Sequence, residues 1–512
     1  MDLDGIEAAA PPKKRHNNKC FALGCALLAS TTSTLMGYDI GVMSGAMMFI
    51  QEDLKVTDTQ MEILAGILNV YSLVGSFAAG RTSDWTGRRI TIVIAAVFFF
   101  LGALLMGLAT SYGFLMVGRF VAGIGVGYAL MIAPVYTAEV SPARYRGFLT
   151  SFAEVFINFG ILLGYVSNFA FSGLPHNLGW RVMLGVGAVP SALLAFGALV
   201  MPESPRWLVL QGRLGDARRV LAKTSESDEE AELRLSEIKE AAGIPQSCND
   251  DVVEVTNKRS HGKGVWRDLL LRPTPVVRKM LISTLLIHFF QQTSGIDSVV
   301  LYSPRVFEKA GMHSKSKLLA MTVAVGFTKT VFILVATCFL DRCGRRPLLL
   351  GGTVGMIVSL LGLATGLTVT DHHPGQRVEW AVAICFASVL AYVAFFSVSL
   401  GPVTWVYTSE ILPLRLRAQG FGLGVAMNRL TSGAISMSFL SLYKAITIGG
   451  AFFLYCGVAT VAWVFFYTYL PETRGRTLEE MEEVFANKKR KTPSPPEGTQ
   501  SQDQAPTAGP AA

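Results

Sequence analysis

Among the ionisable side chains inside long apolar stretches of this sequence are Asp39, Arg119, Glu154, Asp297 and Lys329. If those stretches lie in lipid, each charge costs a few kcal/mol or more, about 2.5–3.5 on insertion scales, so each is a candidate for function. Asp39 and Arg119 are the types needed to hold and release a proton. Burial favours a neutral carboxyl and a nearby guanidinium favours the anion, so moving Arg119 relative to Asp39 changes whether a proton is held. Asp39 follows Gly37-Tyr38 and comes within reach of solvent if its helix is broken there, while Arg119 falls in the outer third of its own run. The plainer alternative for Asp39 is a helix-end cap.

Gln291 and Gln292 each offer an amide donor and acceptor, which suits a hydroxyl that both gives and takes a hydrogen bond. Trp405, after the helix-breaking pair Gly401-Pro402, offers a flat apolar face for the C–H side of a polyhydroxylated solute; the alternative is ordinary packing. His288 and Arg429 read as packing or local hydrogen bonding. No nucleophile–base set, metal cluster or phosphate loop occurs, so an enzyme is not expected, nor is a metal or cofactor.

The elements that must position these groups are membrane helices. The chain has 512 residues, 51% hydrophobic and only 16% charged, which points to lipid as its solvent. A spanning helix needs about 20 mostly apolar residues. Twelve such runs fall near 21–46, 61–80, 91–110, 113–138, 148–171 and 181–201, then 280–303, 318–340, 348–370, 379–409, 419–441 and 450–470. The basic Lys13-Lys14-Arg15 before the first run has the look of a secretory signal, but the run is too long and lacks a small-residue cleavage site, so a retained helix is expected. The net charge of +8 does not point to nucleic acid, because the basic residues cluster in alternate loops: Arg81, Arg88 and Arg89; Arg144 and Arg146; Arg342, Arg345 and Arg346; Arg415 and Arg417. The intervening loops carry few, such as Lys55, Arg377 and Lys444, with the loop of Arg305, Lys309, Lys315 and Lys317 as an exception. The positive-inside rule then places both termini in the cytoplasm. None of the seven cysteines falls in an expected outer loop and no Asn-x-Ser/Thr acceptor occurs, so a disulfide-braced or glycosylated outer face is not indicated.

Three motifs are written twice. R-T-S-D-W-T-G-R-R (Arg81 to Arg89) is echoed by D-R-C-G-R-R (Asp341 to Arg346), E-V-S-P-A-R-Y-R-G (Glu139 to Gly147) by E-I-L-P-L-R-L-R-A (Glu410 to Ala418), and P-E-S at Pro202 by P-E-T at Pro471. The offsets, 257 residues for Gly87 to Gly344, 271 for Glu139 to Glu410 and 269 for Pro202 to Pro471, are close enough to imply a parallel repeat of two six-helix bundles. Carboxylates at helix ends beside Arg side chains form charge-assisted bonds. Asp84, Arg88, Arg89, Glu139, Arg146, Glu203, Asp341, Arg345, Glu410, Arg417 and Glu472 are therefore expected to build a cytoplasmic gate that latches the halves together. The alternative, that the Arg residues only fix topology, leaves the acids without a use.

The expected organisation is a cytoplasmic segment at 1–20, a six-helix bundle at 21–202, a linker with short helices at 203–279, a second bundle at 280–470 and a tail at 471–512. In the linker, D-E-E-A-E-L-R-L-S-E-I-K-E reads as an amphipathic helix packed under the bundle. Beyond Asn487 the chain is basic and then rich in Pro, Ser, Gln and Ala, a composition expected to be disordered.

With these motifs, the chain resembles the sugar porter family of the major facilitator superfamily, and within it the plant polyol/monosaccharide transporters. The resemblance covers Phe21 to Phe485 and rests on G-R-x-x-D-x-x-G-R-R from Gly80, P-E-S-P-R-W-L at Pro202 to Leu208, Q-Q-x-S-G-I at Gln291 to Ile296 and P-E-T-R-G at Pro471 to Gly475. The subgroup is suggested by G-Y-D-I-G-V-M-S-G-A (Gly37 to Ala46) and Q-Q-T-S-G-I-D-S-V-V-L-Y-S-P-R-V-F. It implies an all-α major facilitator fold of twelve transmembrane helices, with Asp39 as proton carrier, Arg119 as its partner, and Gln291, Gln292 and Trp405 against the solute.

Three positions depart from the usual hexose pattern: Asp297 and Lys329 stand where Asn is common, and Glu154 where Gln is common. Asp297 and Lys329 are expected to pair, either lining the cavity and selecting a many-hydroxyl polyol or only bracing the second half. Glu154 is a further candidate for proton coupling. The expected function is proton-coupled symport of linear polyols, with inositol or monosaccharides as further solutes, by a monomer in the plasma membrane. The proton is the coupling ion. The rival functions are a proton-independent facilitator and a solute-binding membrane sensor.

Overall fold

The computed structural model describes residues 16–141, 146–225, 227–246, 248, 250–253, 267–312, 314–373, 378–413, 416–474 and 478–486. The basic run at 13–15, Arg144, Arg377, Arg415 and the tail beyond 486 lie outside the described residues, as do the side chains of Arg146 and Asp341.

The first half consists of α1 (His16–Leu54), α2 (Asp58–Thr86), α3 (Arg88–Gly107), α4 (Tyr112–Val140), α5 (Arg146–Phe171), α6 (His176–Gly185) and α7 (Ala188–Val200). Three short helices follow, α8 (Pro205–Leu210), α9 (Leu214–Thr224) and α10 (Asp228–Ala242). The second half comprises α11 (Pro275–Thr293), α12 (Ile296–Lys309), α13 (Lys315–Cys343), α14 (Arg345–His372), α15 (Glu379–Val398), α16 (Leu400–Ile411), α17 (Arg417–Ser436), α18 (Phe439–Ile446) and α19 (Ile448–Tyr469), and α20 (Leu478–Ala486) closes the described chain. Repeat mates match closely: α2 and α13 are both 29 residues long and each ends at a glycine with positive φ, Gly87 at 96° and Gly344 at 89°.

Among the described residues, ten helical stretches are long and apolar enough to cross a membrane. The broken pairs α11–α12 and α17–α18 complete twelve crossings, and these two, too polar for that test, carry Gln291, Gln292, Asp297 and Arg429. Large apolar side chains face outward, as on α7, where Leu193, Phe196 and Val200 are 68%, 70% and 87% exposed. Lipid contact is what permits this.

Small residues bring the spans together. On α1, Gly37, Gly41 and Gly45 lie against Ile157, Ile161 and Asn168 of α5, close enough that a Cβ on Gly37 would fall 1.9 Å from the Ile157 carbonyl oxygen. Such small-residue seams let helix backbones approach in lipid, where apolar burial alone gives no preference for protein over tail. This seam sets the depth of Asp39 on α1 against Glu154 on α5.

The amphipathic segment is indeed helical, as α10, with Ser227 capping its start and Gly243 its end. Arg234 of α10 donates to the carbonyls of Glu139, Val140 and Ser141, so the linker helices are tied to the first half. α1 is unbroken from His16 to Leu54, so the condition that would bring Asp39 to solvent, a break beside it, is not met. The interruption in the tenth run falls at Ser399 (φ −109°, ψ −93°), just before Gly401-Pro402, because proline is tolerated in the first turn of a new helix.

Candidate functional site: a polar pocket, a buried ion pair and two helix-end clusters

The helix-end clusters are built alike. Gly87 starts α3, and Glu203 accepts from the N–H groups of Arg88 (2.8 Å) and Arg89 (3.2 Å) there. Gly344 starts α14, where Glu472 accepts from the N–H groups of Arg345 and Arg346 at 3.0 Å each. An anion belongs at a helix N-terminus, where the peptide dipoles point their positive ends. Gly87 is required for two reasons: its φ is left-handed, and a Cβ would sit 2.4 Å from Glu203 Oε2. Arg88 grips Glu139 through Nε (2.9 Å) and Nη2 (3.2 Å), and Ser204 donates to the same carboxylate at 2.5 Å. Arg345 grips Glu410 at 3.1 and 2.6 Å, with Thr473 in the place of Ser204. Asp84 is exposed and bonds Arg88 one turn away at 3.4 Å. Arg417 is half-buried within the field of Glu410. Burial pushes the Glu203 carboxyl above its ordinary range, and the N–H groups of Ser204, Arg89 and Arg88 oppose that shift.

These clusters do not latch one half to the other. Among the described residues each closes within its own half, and every side-chain bond that joins the halves lies at mid-depth or at the end of the bundle away from the termini. At that far end Lys315 bonds Glu52 at 2.7 Å, Lys444 pairs with Asp58, and Arg305 donates to Gln51. Buried Glu62 of α2 accepts from the backbone N–H and the hydroxyl of Ser441 on α18, both at 2.6 Å. A latch between halves belongs to a state closed at the terminus-bearing end, and the present state is held together at the opposite end.

At mid-depth, Arg119 Nη1 stands 2.5 Å from Asp39 Oδ2, with Arg119 only 1% and Asp39 6% exposed. Arg119 Nε donates to the Leu64 carbonyl of α2 at 3.2 Å. Tyr38 is fixed by donating to the Met183 carbonyl at 2.6 Å, with Ser167 at 2.9 Å from its hydroxyl. A small cavity lined by Tyr38, Phe99, Ala122, Leu184 and Gly187 reaches Asp39, so its surroundings open sideways into the bundle, not through a break in α1.

The residues expected to face a solute meet where two helices break. Gly295, at φ 91°, separates α11 from α12, and a Cβ there would lie 2.5 Å from the Tyr455 ring, so no other residue fits. The break leaves Gln291 and Gln292 at the end of α11 and Asp297 in the first turn of α12, a place that favours a carboxylate. Gln291 Nε2 donates to the Leu400 and Gly401 carbonyls at 2.9 and 3.2 Å, which ties the α11 break to the start of α16. Asn428 of α17 donates to Gln291 Oε1 at 2.7 Å and accepts from Gln292 at 3.0 Å, while Gln292 Oε1 is buried with no protein partner. Trp405 is half-buried, its ring 5.0 Å from that of buried His288 and 6.0 Å from that of Phe421.

Asp297 and Lys329 form no direct ion pair. Asp297 accepts from Ser432 of α17 and lies in the field of Arg429, and the strongest charged neighbour of Lys329 is Glu154 of α5, ahead of Asp297. Asn158, one turn from Glu154, donates to its backbone carbonyl at 2.7 Å and keeps a buried oxygen without a partner. Sequence reasoning missed Asn428, Asn158 and Ser432, and treated Arg429 as packing. The signal was present for Arg429, since a charge within a spanning run is costly wherever it falls.

The pattern that defines the family described as "Sugar (and other) transporter" matches residues 25–485. The chain belongs to that family. It is therefore a multi-pass membrane protein of the major facilitator type. Over 483 residues it is 65% identical to polyol transporter 5 of Arabidopsis thaliana, covering 94% of this chain and 89% of that protein. Against the glucose transporter GlcP of Staphylococcus epidermidis the identity is 33%, covering 89% and 95%. Among solved structures, the inward open conformation of the xylose transporter XylE from E. coli matches with a TM-score of 0.74 at 26% identity, covering 91% of this chain and all of that one. The proton:xylose symporter XylE bound to 6-bromo-6-deoxy-D-glucose matches with a TM-score of 0.73 at 28% identity, over 91% and 100%.

Proposed function

We propose that the chain is a proton-coupled symporter of linear polyols, and of inositol or monosaccharides, that works by alternating access as a monomer in the plasma membrane with both termini in the cytoplasm. The observation that carries the reading is the Asp39–Arg119 couple: a fully buried arginine against a buried acid, at the depth of a polar pocket suited to hydroxyl groups. The names of the similar proteins, polyol transporter 5 and the proton:xylose symporter XylE, support the solute class and the coupling ion. In this reading the terminus-bearing end faces the cytoplasm and the state described above is inward-facing.

A proton arriving at Asp39 adds to a carboxylate oxygen and cancels the charge that holds Arg119. The guanidinium then keeps its bond to the Leu64 carbonyl and turns to other acceptors. The solute sits against Gln291, Gln292, Asn428 and Trp405, where its hydroxyls exchange water for amide groups. Glu154, Lys329 and Asp297 flank the pocket, and charge-assisted bonds to many hydroxyls favour a flexible polyol. Proton and solute each favour the occluded state, so each raises the other's affinity. The bundles at 21–202 and 280–470 move as bodies, joined by the linker at 203–279, while the clusters around Glu139 and Glu410 act as the cytoplasmic gate when that end closes.

The test is Asp39→Asn in proteoliposomes under an imposed pH gradient. Solute accumulation should be lost while exchange of solute across the membrane, without a gradient, is kept. Accumulation at the parent level would refute the proton-carrier role.

A further inference from the structure

Arg429 has no part in the steps above, yet it lies between their two sites. It is 7% exposed on α17. Its Nη2 donates to Asn428 Oδ1 at 2.6 Å, the same oxygen that holds Gln292, and its Nη1 donates to Asn69 Oδ1 on α2 at 3.4 Å. Asn69 lies five residues from Leu64 on the unbroken helix α2, a rise of about 7.5 Å. The Leu64 carbonyl holds Arg119, and Arg119 holds Asp39. One cavity between the halves is lined by Asn69, Arg119, Asp297, Arg429 and Ser432. Two sets of bonds thus meet on α2: the glutamines of the solute pocket reach Asn69 through Asn428 and Arg429 across the interface between halves, and the proton site reaches Leu64 through Arg119.

We propose that Arg429 is a positioning residue that carries the state of the solute pocket to the Asp39–Arg119 couple through Asn69 and α2. The inference rests on the proton-symport reading. Its two ends differ in the way a relay requires. The bond to Asn428 is short, whereas the bond to Asn69 sits near the limit of hydrogen-bond length, so a shift of a few tenths of an ångström in α17 makes or breaks it. When a solute engages Gln291, Gln292 and Asn428, Asn428 is held in one orientation and Arg429 with it, and the Asn69 contact then fixes α2 against α17. The charged groups facing Arg429 are Asp297 on α12 and Glu154 on α5, with His288 on α11 and Arg119 on α4 around the same space. Asp297 and Glu154 keep the guanidinium in place in the membrane, and its Nε, buried without a protein partner, leaves one donor for water or solute.

The test compares Asn69→Ala, Arg429→Lys, the double variant, Asp39→Asn and the parent in proteoliposomes, with sorbitol as the probe. Two quantities are read: accumulation driven by a pH gradient, and sorbitol exchange at equal pH. Asn69→Ala and Arg429→Lys should each lower accumulation about fivefold or more, the size of an ordinary coupling free energy, while exchange in Asn69→Ala changes less than twofold. The double variant should be no worse than the weaker single, because both residues act on one path. Unchanged accumulation in Asn69→Ala overturns the relay, as does a parallel fall in exchange and accumulation, which marks a packing role. Additive losses in the double variant also overturn it. If Asp39→Asn still accumulates sorbitol on the pH gradient, the symport reading fails first and takes the relay with it; a failure confined to the Asn69 and Arg429 arms leaves that reading standing.

Discussion

Beside the bonds that join the halves toward the far end stands a close approach at Gly66 of α2. A Cβ added there would lie 2.4 Å from Met437 Cγ, 2.8 Å from the Gly433 carbonyl oxygen and 3.0 Å from the Met437 amide nitrogen. The methionine side chain can swing away, but the two backbone atoms belong to the last turn of α17 and the residue that follows it, and ordinary contact begins near 3.4 Å. Gly66→Ala therefore obliges α2 and α17 to separate by several tenths of an ångström at the seam that also carries Glu62 and Ser441. Overpacking of this kind costs about 1–3 kcal/mol. The cost falls only on the state closed at the far end, so the population should move toward the state open there by about 5- to 150-fold. Spin labels at Lys55 and Ser316, exposed at the far end on opposite halves, should report a longer mean distance in the variant. Gly113→Ala is the control, because a Cβ there meets nothing within 4 Å. A distance distribution identical to the parent's in Gly66→Ala would refute the claim that this contact limits closure.

Two further outcomes follow from the sites. Arg88→Ala should lower the melting temperature more than Arg345→Ala, since the Arg88–Glu139 side chains are 9% and 9% exposed and the Arg345–Glu410 pair 11% and 29%. Removing one partner of a well-buried pair costs about 3–5 kcal/mol and less where water reaches the survivor, so equal losses in a thermal unfolding assay would contradict the burial argument. Gln291→Ala removes the amide that orders Leu400, Gly401 and Asn428 around the pocket and leaves a solute hydroxyl facing it unpaired, at about 1–3 kcal/mol for that unpaired group. Solute affinity measured by equilibrium binding should fall about 5- to 150-fold, and an unchanged affinity would move the pocket elsewhere.

Much of the molecule is determined by local sequence. Apolar runs of spanning length place twelve crossings because lipid leaves the backbone no alternative to helix. The doubled motifs bring the arginines and acids of the helix-end clusters to one depth, since Arg88, Glu139 and Glu203 each sit at a helix end set by its run, but they do not show that each cluster closes within its own half. Only the tertiary structure decides which groups meet across helices. Asp297 bonds Ser432 and not Lys329, Lys329 lies in the field of Glu154 as well as that of Asp297, and Asn428 joins both glutamines to Arg429. A charge in a span needs a partner, but rotation and crossing of helices more than a hundred residues apart select it, and spacing along the chain carries no record of either. The place of the tenth-run break, the unbroken first helix and the end at which the halves are joined are decided in the same way. The last of these depends on how the halves pack against each other, and packings within a few kcal/mol of one another are both populated.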